Sequence, residues 1–441
     1  MPNDFSIGFA ALAHSFGWHS WVSFALKFFP FVLLLELPIW GLVMAGMIRY
    51  GLRELRKKPE RADWPSVSCI VLCYSEGEGV IKSIRSLALQ RYPGNIEIIA
   101  VIDGAIKNAE TRQAVEKECA RWQHLPGRRL MPVPKWQRGG RVSSLNLGLA
   151  MSTGDIIMAL DGDTSFDNDM IANATVHFAD PTVAAVSGNL RVRNQGESAI
   201  AKLQGLEYVF SISGGRTGLS EFNLVNNVSG AFGIFRATVL RHLGGWDAGT
   251  AEDLDLTLRI KQFFGRHPDL RIVFEPHAVG HTDAPATWRS FFGQRVRWDG
   301  DLFYIYIRKY RFNLRPSLLG WRNFLFVSLY GLVIQLTLPF LIAASAFWMF
   351  WTQPVGVALG TLTFIYLCYL ITSGAFFLVY LAAISERPRF DLGYLPWLPL
   401  FPLYGFVNRV HNAYSTLCEI LTQSHLDSSM APTWVLRRTK F

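Results

Sequence analysis

Three acidic signals and one cationic-aromatic signal follow one another along this chain. Asp103 closes an apolar run, Asp161-Gly162-Asp163 closes another, and Glu252-Asp253 opens an amphipathic segment. Gln294-Arg295-Val296-Arg297-Trp298 comes last, just before the sequence turns apolar. Two aspartates flanking a glycine can offer oxygens to one hard divalent cation. Magnesium typically takes one or two carboxylates and leaves its other positions to water and phosphate. A bound diphosphate is then the natural partner, with the cation stabilising it as a leaving group. A carboxylate beside such a donor, Asp253 or Glu252, can take the proton of an acceptor hydroxyl as general base. Arg297 would face the diphosphate and Trp298 would stack on a sugar ring. Each signal alone has a plainer reading: a solvated turn, a stabilised helix terminus, or a helix with an interfacial aromatic. Their order is the informative fact.

Something must bring these stations together. Val67 to Cys73, Ile96 to Ile102 and Asp155 to Leu160 are short runs too apolar to be half-exposed strands, and they alternate with helix-like stretches at 79–90, 109–123 and 141–152. Buried strands alternating with helices predict a parallel, doubly wound α/β sheet. Ligands bind such sheets beyond the carboxyl ends of the strands. Tyr74-Ser75-Glu76, Asp103-Gly104 and Asp161-Gly162-Asp163 all fall there, so topology alone predicts one site.

The chain of 441 residues is 50% hydrophobic and 14% aromatic, with 17% charged residues and a formal net charge of +9. The apolar excess lies at the two ends, and residues 60–310 read as a water-soluble domain with its own core. Trp21 to Met47 is apolar apart from Lys27 and Glu36 and predicts an anchor rather than a removed signal; residues 5–18 are shorter and mildly apolar. Arg49, Arg53, Arg56, Lys57, Lys58 and Arg61 follow the anchor, and Arg308, Lys309, Arg311, Arg315 and Arg322 precede the second apolar region. Basic flanks predict a cytoplasmic central domain and contact with anionic headgroups, not nucleic acid. Further apolar stretches lie at 329–351, 355–384 and 394–421. The last contains Asn408, Arg409, His411 and Asn412, and reads equally as a span lining a polar path or as an interfacial helix. Five cysteines show no metal-ligand spacing and read as buried free thiols. His277 and His281, in a proline-punctuated loop, read as local hydrogen-bonding groups, since zinc needs further ligands. Asn227-Val228-Ser229 matches a glycosylation acceptor but lies in the predicted cytoplasmic domain.

Taken together, the motifs resemble those of the processive, membrane-embedded glycosyltransferases of family 2, which include cellulose, chitin, hyaluronan and bacterial poly-N-acetylglucosamine synthases. The resemblance spans roughly residues 65–301. It rests on Cys73-Tyr74-Ser75-Glu76, Gln90-Arg91-Tyr92-Pro93, Leu145-Asn146-Leu147-Gly148-Leu149, Asp161-Gly162-Asp163, Ser229-Gly230-Ala231-Phe232, Glu252-Asp253-Leu254-Asp255 and Gln294 to Trp298. Gly188 to Arg193, followed by Lys202-Leu203-Gln204 and Glu207-Tyr208, is most similar to the poly-N-acetylglucosamine branch.

The resemblance implies a GT-A type nucleotide-sugar-binding fold with flanking transmembrane and interfacial helices. It implies an anchor at 1–58, a cytoplasmic glycosyltransferase domain at 59–310 and a helical channel region at 311–441, in a bacterial inner membrane. Tyr74, Glu76 and Asp103 would hold uridine, with Arg141, Asp161 and Arg297 completing the nucleotide-sugar site. Asp161 and Asp163 would hold Mg2+ or Mn2+. Asp253 would be the base, with Glu252 beside it, and Gln294, Trp298, Ser229 and Gly230 would bind the acceptor. The expected reaction polymerises a sugar from a UDP-sugar into a β-linked polysaccharide and passes it across the bilayer, with Trp348 and Tyr369 more plausible as packing residues than as contacts to the chain. Transfer of one sugar to a lipid is the alternative, and an inactive scaffold or transporter a third. Any second-messenger control would need a small regulatory membrane subunit. Three departures stand out: Ala251 where threonine is usual, Ile102 where an aspartate often precedes Asp103, and Arg141 in place of a frequent lysine, which changes phosphate geometry.

Overall fold

The computed structural model describes residues 29–55, 63–247 and 251–426. Residues 5–18, the amino-terminal part of the expected anchor, Arg56, Lys57, Lys58 and Arg61, and the tail cations Arg437, Arg438 and Lys440 lie outside the described residues.

Eight strands form one sheet: β1 (Val67–Cys73), β2 (Ile96–Asp103), β3 (Arg128–Lys135), β4 (Ile156–Asp161), β5 (Ser165–Phe166), β6 (Val183–Val192), β7 (Phe232–Arg236) and β8 (Arg271–Thr282). Their order is β3-β2-β1-β4-β7-β6-β8-β5. The first four pair in parallel, as expected for β1, β2 and β4. Beyond β4 the sheet is mixed: β7 runs antiparallel to β4 and β6, β6 is parallel to β8, and β5 is antiparallel to β8. The parallel-sheet expectation is corrected here, because an apolar run reports burial on both faces and carries no information on direction. Strand β3 escapes a pattern reading because Pro132 and Pro134 interrupt it. As the edge strand it tolerates the missing donors.

The helices are α1 (Leu37–Glu54), α2 (Val80–Ala88), α3 (Ala109–Trp122), α4 (Gly140–Met151), α5 (Ala199–Tyr208), α6 (Gly215–Ser220), α7 (Glu252–Lys261), α8 (Trp288–Phe303), the helical run α9 (Pro316–Thr352), α10 (Val355–Ala383) and α11 (Phe401–Thr422). Alternate residues of a strand point to opposite faces, and both faces of β1 are covered. Cys69 and Val71 pack with Ile84 and Leu87 of α2 and Val115 of α3. Ile70 and Leu72 pack with Leu145 and Leu149 of α4 and Leu256 and Ile260 of α7. Cys69, Cys73 and Cys119 are buried free thiols, while Cys368 and Cys418 are half-buried.

Among the described residues, α9 and α10 are the two helices long and apolar enough to cross a membrane. The third apolar stretch splits into a 3-10 segment, Leu392–Leu400, and α11. Helix α11 packs along α8, the helix that carries Gln294, Arg297 and Trp298. Of the polar residues on these helices, Arg409 pairs with Glu36, which also accepts a hydrogen bond from Tyr369. Several of the expected headgroup-binding cations make ion pairs within the protein. Arg49 and Arg53 bridge to Glu221 at 3.3 and 2.6 Å, and Lys309 lies 2.8 Å from both Asp247 and Asp255. Partly desolvated carboxylates compete well with water for such cations.

Helix α1 crosses α6 backbone to backbone at Gly46 and Gly218, where a Cβ on Gly46 would overlap the Gly218 carbonyl. Small residues permit this close approach of helices. Gly46→Leu is expected to lower the thermal unfolding midpoint in nanodiscs by the equivalent of roughly 1–3 kcal/mol, the usual cost of overpacking. Gly41→Leu, on the same helix but with no heavy atom within 4 Å of where a Cβ would stand, should leave the midpoint unchanged. Equal effects of the two substitutions would exclude the crossing as the cause.

Candidate active site

Strands β1 and β4 lie side by side, with Leu72 paired to Asp161 at their carboxyl ends. The two loops that follow therefore meet. Ser75 adopts a left-handed backbone conformation (φ 67°), which turns the chain sharply after Tyr74 and leads into Glu76. Gly162 approaches this turn so closely that a Cβ would collide with the Leu72 carbonyl and come within 3.4 Å of the Glu76 carboxyl carbon. The glycine between the two aspartates is thus a packing requirement. Burial pushes the Glu76 carboxyl up to about 7, and the charges of Asp163 and Asp161 act in the same direction. One Glu76 oxygen is buried without a hydrogen-bond partner. Asp163 stands exposed at the rim; desolvation and then the Asp161 charge raise it above its ordinary value. Tyr74 is exposed, with the Arg138 guanidinium 4.5 Å from its ring centroid.

Arg141, in the first turn of α4, joins the two halves of the site. One nitrogen bonds Asp161 at 2.5 Å and another bonds Glu252 at the start of α7. Burial opposes the Arg141 charge, but the two carboxylates outweigh it and raise its pKa. Burial in turn pushes Glu252 up to about 7 against the pull of Arg141, with Asp253 adding to the rise. Arg141 is therefore neutralised by protein carboxylates. Glu252 is buried in this ion pair, which leaves Asp253 as the accessible carboxylate of the two. Asp253 Oδ2 accepts hydrogen bonds from Asn227 Nδ2 (2.9 Å) and the Gly230 N–H (3.0 Å), and Oδ1 accepts from the Leu254 N–H (2.7 Å). Ser229 and Gly230 thus form the turn that orients this carboxylate.

Asp103 has a different setting from the one expected. Its Oδ1 accepts from Lys135 Nζ and the Gly139 N–H, and its Oδ2 from the Gly140 N–H, all at 2.8 Å. An anion at a buried helix amino terminus satisfies otherwise orphaned donors. Both carboxylate oxygens are engaged this way, so Asp103 sets the position of α4, and through it Arg141.

Among the described residues, no hydrogen bond or ion pair joins Gln294, Arg297 or Trp298 to Asp161, Asp163 or Asp253. The connection runs through Tyr208 at the end of α5. Its hydroxyl lies within electrostatic reach of Arg295 on α8 and of Asp163. Arg295 bonds Glu207 at 2.6 Å, Tyr404 of α11 bonds the same Glu207 oxygen at 2.5 Å, and the Arg295 guanidinium lies 4.9 Å from the Trp298 ring. Trp298 is 40% exposed, and Gln294 has a buried amide oxygen without a partner. Helix α8 is thus held to α5 and α11 through Glu207, with Trp298 partly exposed. Sequence reasoning missed Asn227, Tyr208 and Arg216. Only Asn227 carries a signal, two residues ahead of Ser229, where it is masked by the match to a glycosylation acceptor. His277 and His281 lie on strand β8 and not in a loop, and their hydrogen-bonding role holds: His277 contacts Glu275 at 2.9 Å and Tyr50 at 3.1 Å, and His281 contacts Asp167 at 3.0 Å.

Residues 68–244 match the family model described as glycosyl transferase family 2. Poly-beta-1,6-N-acetyl-D-glucosamine synthase of Staphylococcus epidermidis is 29% identical over 248 residues, which is 56% of this chain and 57% of that protein. The synthase of the same name from Staphylococcus aureus is 28% identical over 282 residues, 62% of this chain and 65% of the relative. The matched regions thus span less than two thirds of these curated relatives. Among solved structures, a mannosyltransferase of Pyrobaculum calidifontis in complex with GDP-Man and Mn2+ superposes with a TM-score of 0.54 at 20% identity, covering 89% of this chain and 98% of that one. At that identity the likeness shows the fold, a GT-A type glycosyltransferase sheet. The resemblance read from the motifs holds.

The Glu76 setting predicts a pH dependence. Its folded-state value lies above the ordinary 4.5, at about 7, so the proton is bound more tightly in the folded protein. Its stabilising contribution is complete below the ordinary value and is lost as pH rises through the raised one. Glu76→Gln removes that loss. Its melting midpoint should gain on the wild type as pH rises from about 5 to about 8, reaching the equivalent of roughly 1–2 kcal/mol for a partly exposed group. Parallel midpoint curves for the two proteins would refute it.

Proposed function

We propose, from the premise that residues 68–244 are a glycosyl transferase family 2 domain, that this protein polymerises a sugar from a UDP-sugar into a β-linked polysaccharide at a membrane. One observation carries the reading: an accessible carboxylate, Asp253, fixed by three hydrogen bonds, stands one residue from the Glu252–Arg141–Asp161 chain that leads to the Asp161-Gly162-Asp163 loop. That is the arrangement a direct displacement needs, with a base on one side and a charge-handling loop on the other. N-acetylglucosamine is the first candidate sugar, supported by the similarity to the two staphylococcal synthases.

Asp253 would take the proton of the acceptor hydroxyl as that oxygen attacks the anomeric carbon. The bond from that carbon to the diphosphate breaks, and the nucleoside diphosphate leaves. A single displacement inverts the donor's α configuration to β. Trp298 would hold the acceptor sugar by stacking, with Gln294, Ser229 and Gly230 lining the same side. Tyr74 and Glu76 are proposed for the nucleoside and Arg297 for the diphosphate. Asp161 and Asp163 suit a hard divalent cation such as Mg2+ or Mn2+. Among the described residues no three His, Cys, Asp or Glu side chains form a cage, and two carboxylates with the rest left to phosphate and water match this ion class. A cation bound there would neutralise charge on the leaving diphosphate. Helices α9 and α10 support placing the reaction at a bilayer, and the division at 59–310 and 311–441, the outward passage of the product and an inner-membrane location belong to the same proposal.

Purified protein in nanodiscs, given a panel of UDP-sugars with Mg2+ or Mn2+, should form a sized polymer. A single glycolipid product would favour the lipid-acceptor reaction instead. Asp253→Asn should lower turnover by about 10³-fold or more, the range for loss of a general base, while donor affinity measured by calorimetry stays within about twofold. Full activity in that variant would remove Asp253 from the mechanism.

A further inference from the structure

Most guanidinium groups that pack deeply in this protein have a carboxylate in contact. Arg141 has two, Arg191 has Asp391 at 2.8 Å, Arg259 has Asp255 at 2.8 Å, and Arg295 has Glu207. Arg216, in the first turn of α6, differs. Among the described residues it makes no ion pair at contact distance, and its hydrogen bond goes from Nη1 to the hydroxyl of Ser187 at 3.1 Å. It packs deeply yet keeps some solvent access. Burial depresses its pKa, and among its surroundings the Asp253 carboxylate opposes that fall most, with Tyr330 and Tyr208 also within electrostatic reach. An isolated cation at such depth is costly unless its field is used or offset.

Its one hydrogen bond leads to the same carboxylate. Ser187 on β6 is fully buried, and its hydroxyl oxygen also accepts the Ser229 N–H at 3.3 Å. Ser229 begins the turn whose next N–H, that of Gly230, binds Asp253 Oδ2 at 3.0 Å. Asn227, two residues earlier, donates to that oxygen at 2.9 Å. Arg216 therefore reaches Asp253 twice, once through its charge and once through the Ser187–Ser229 link that fixes the turn. Tyr330, within electrostatic reach of Arg216, belongs to the membrane-competent run α9. Tyr208 lies within reach of Asp163 and Arg295.

We propose that Arg216 is the positioning residue of the Asp253 base: it anchors the Asn227–Gly230 turn through Ser187 and supplies the positive charge that the base faces. This rests on the reading of Asp253 given above. Arg216 touches neither donor nor acceptor in this assignment, so its loss should appear in the chemical step and not in donor binding.

Arg216→Met and Arg216→Lys, each alone and combined with Asp253→Asn, test it in nanodiscs. Arg216→Met should lower kcat by about 100-fold with the affinity for UDP within about twofold, and Arg216→Lys should restore about tenfold of that, as a purely steric role would not. In melting experiments Arg216→Met should cost clearly less in the Asp253→Asn background than in the wild type, because coupled charges give non-additive shifts. A kcat for Arg216→Met within about threefold of wild type would overturn the proposal. So would loss of UDP affinity in step with kcat, or a lysine variant no better than methionine. Should the wild type turn over no sugar nucleotide at all, the functional reading falls. The melting cycle then decides by itself: additive shifts overturn the Arg216–Asp253 link, and non-additive shifts sustain it.

Discussion

One guanidinium holds the two halves of the candidate site together. Arg141 sits between Asp161, where the parallel half of the sheet ends, and Glu252, where α7 begins beyond the mixed half. Two carboxylates brought this near each other in a partly desolvated cleft repel, and a cation shared between them removes the conflict. The same contact fixes how far the Asp161-Gly162-Asp163 loop stands from Asp253. Asp103 supports it from behind by holding the amino terminus of α4, so that a residue whose sequence position suggests ligand binding acts on the site through the backbone. Lysine at position 141 would offer one nitrogen where arginine offers several in a fixed plane, and the twofold contact seen here uses that plane.

The sheet domain is joined to its flanking helices by close and charged contacts, not by a loose tether. Gly46 of α1 lies on Gly218 of α6, and Arg49 and Arg53 of the same helix bridge to Glu221 just beyond α6. Arg216 lies on α6 between these contacts and the cleft. On the other side, α8 is held against α11 through the Arg295–Glu207–Tyr404 cluster. Helix α1 and the turn that binds Asp253 are therefore linked through α6. A displacement of α1 would be felt at the turn that binds Asp253.

Much of this is legible in the chain itself. Val67 to Cys73 reads as a strand with the bounds it has in the fold, and the helices at 109–122 and 140–151 read to within one or two positions. The strand is buried on both faces and each helix buries one side, so their pattern follows burial. Strand β3 is hidden by its prolines. The histidine pair reads as a loop because Pro276 stands in the middle of what is strand β8, where the register of the pairing with β6 shifts. The direction of β7 is not legible, since apolar residues look the same in either orientation.

By itself, the sequence determined which residue types were available for chemistry, that they fall at strand ends and helix starts, and that apolar segments flank them. Periodicity and burial are local properties, and a local reading suffices for them. The tertiary structure alone decided which charges neutralise one another: Arg141 with Asp161 and Glu252, Asp103 with the start of α4, Arg49 and Arg53 with Glu221. It also singled out Arg216, whose surroundings come from β6, α7 and α9. An electrostatic role depends on distance and desolvation, and both are fixed by segments far apart in the chain that only folding brings within reach.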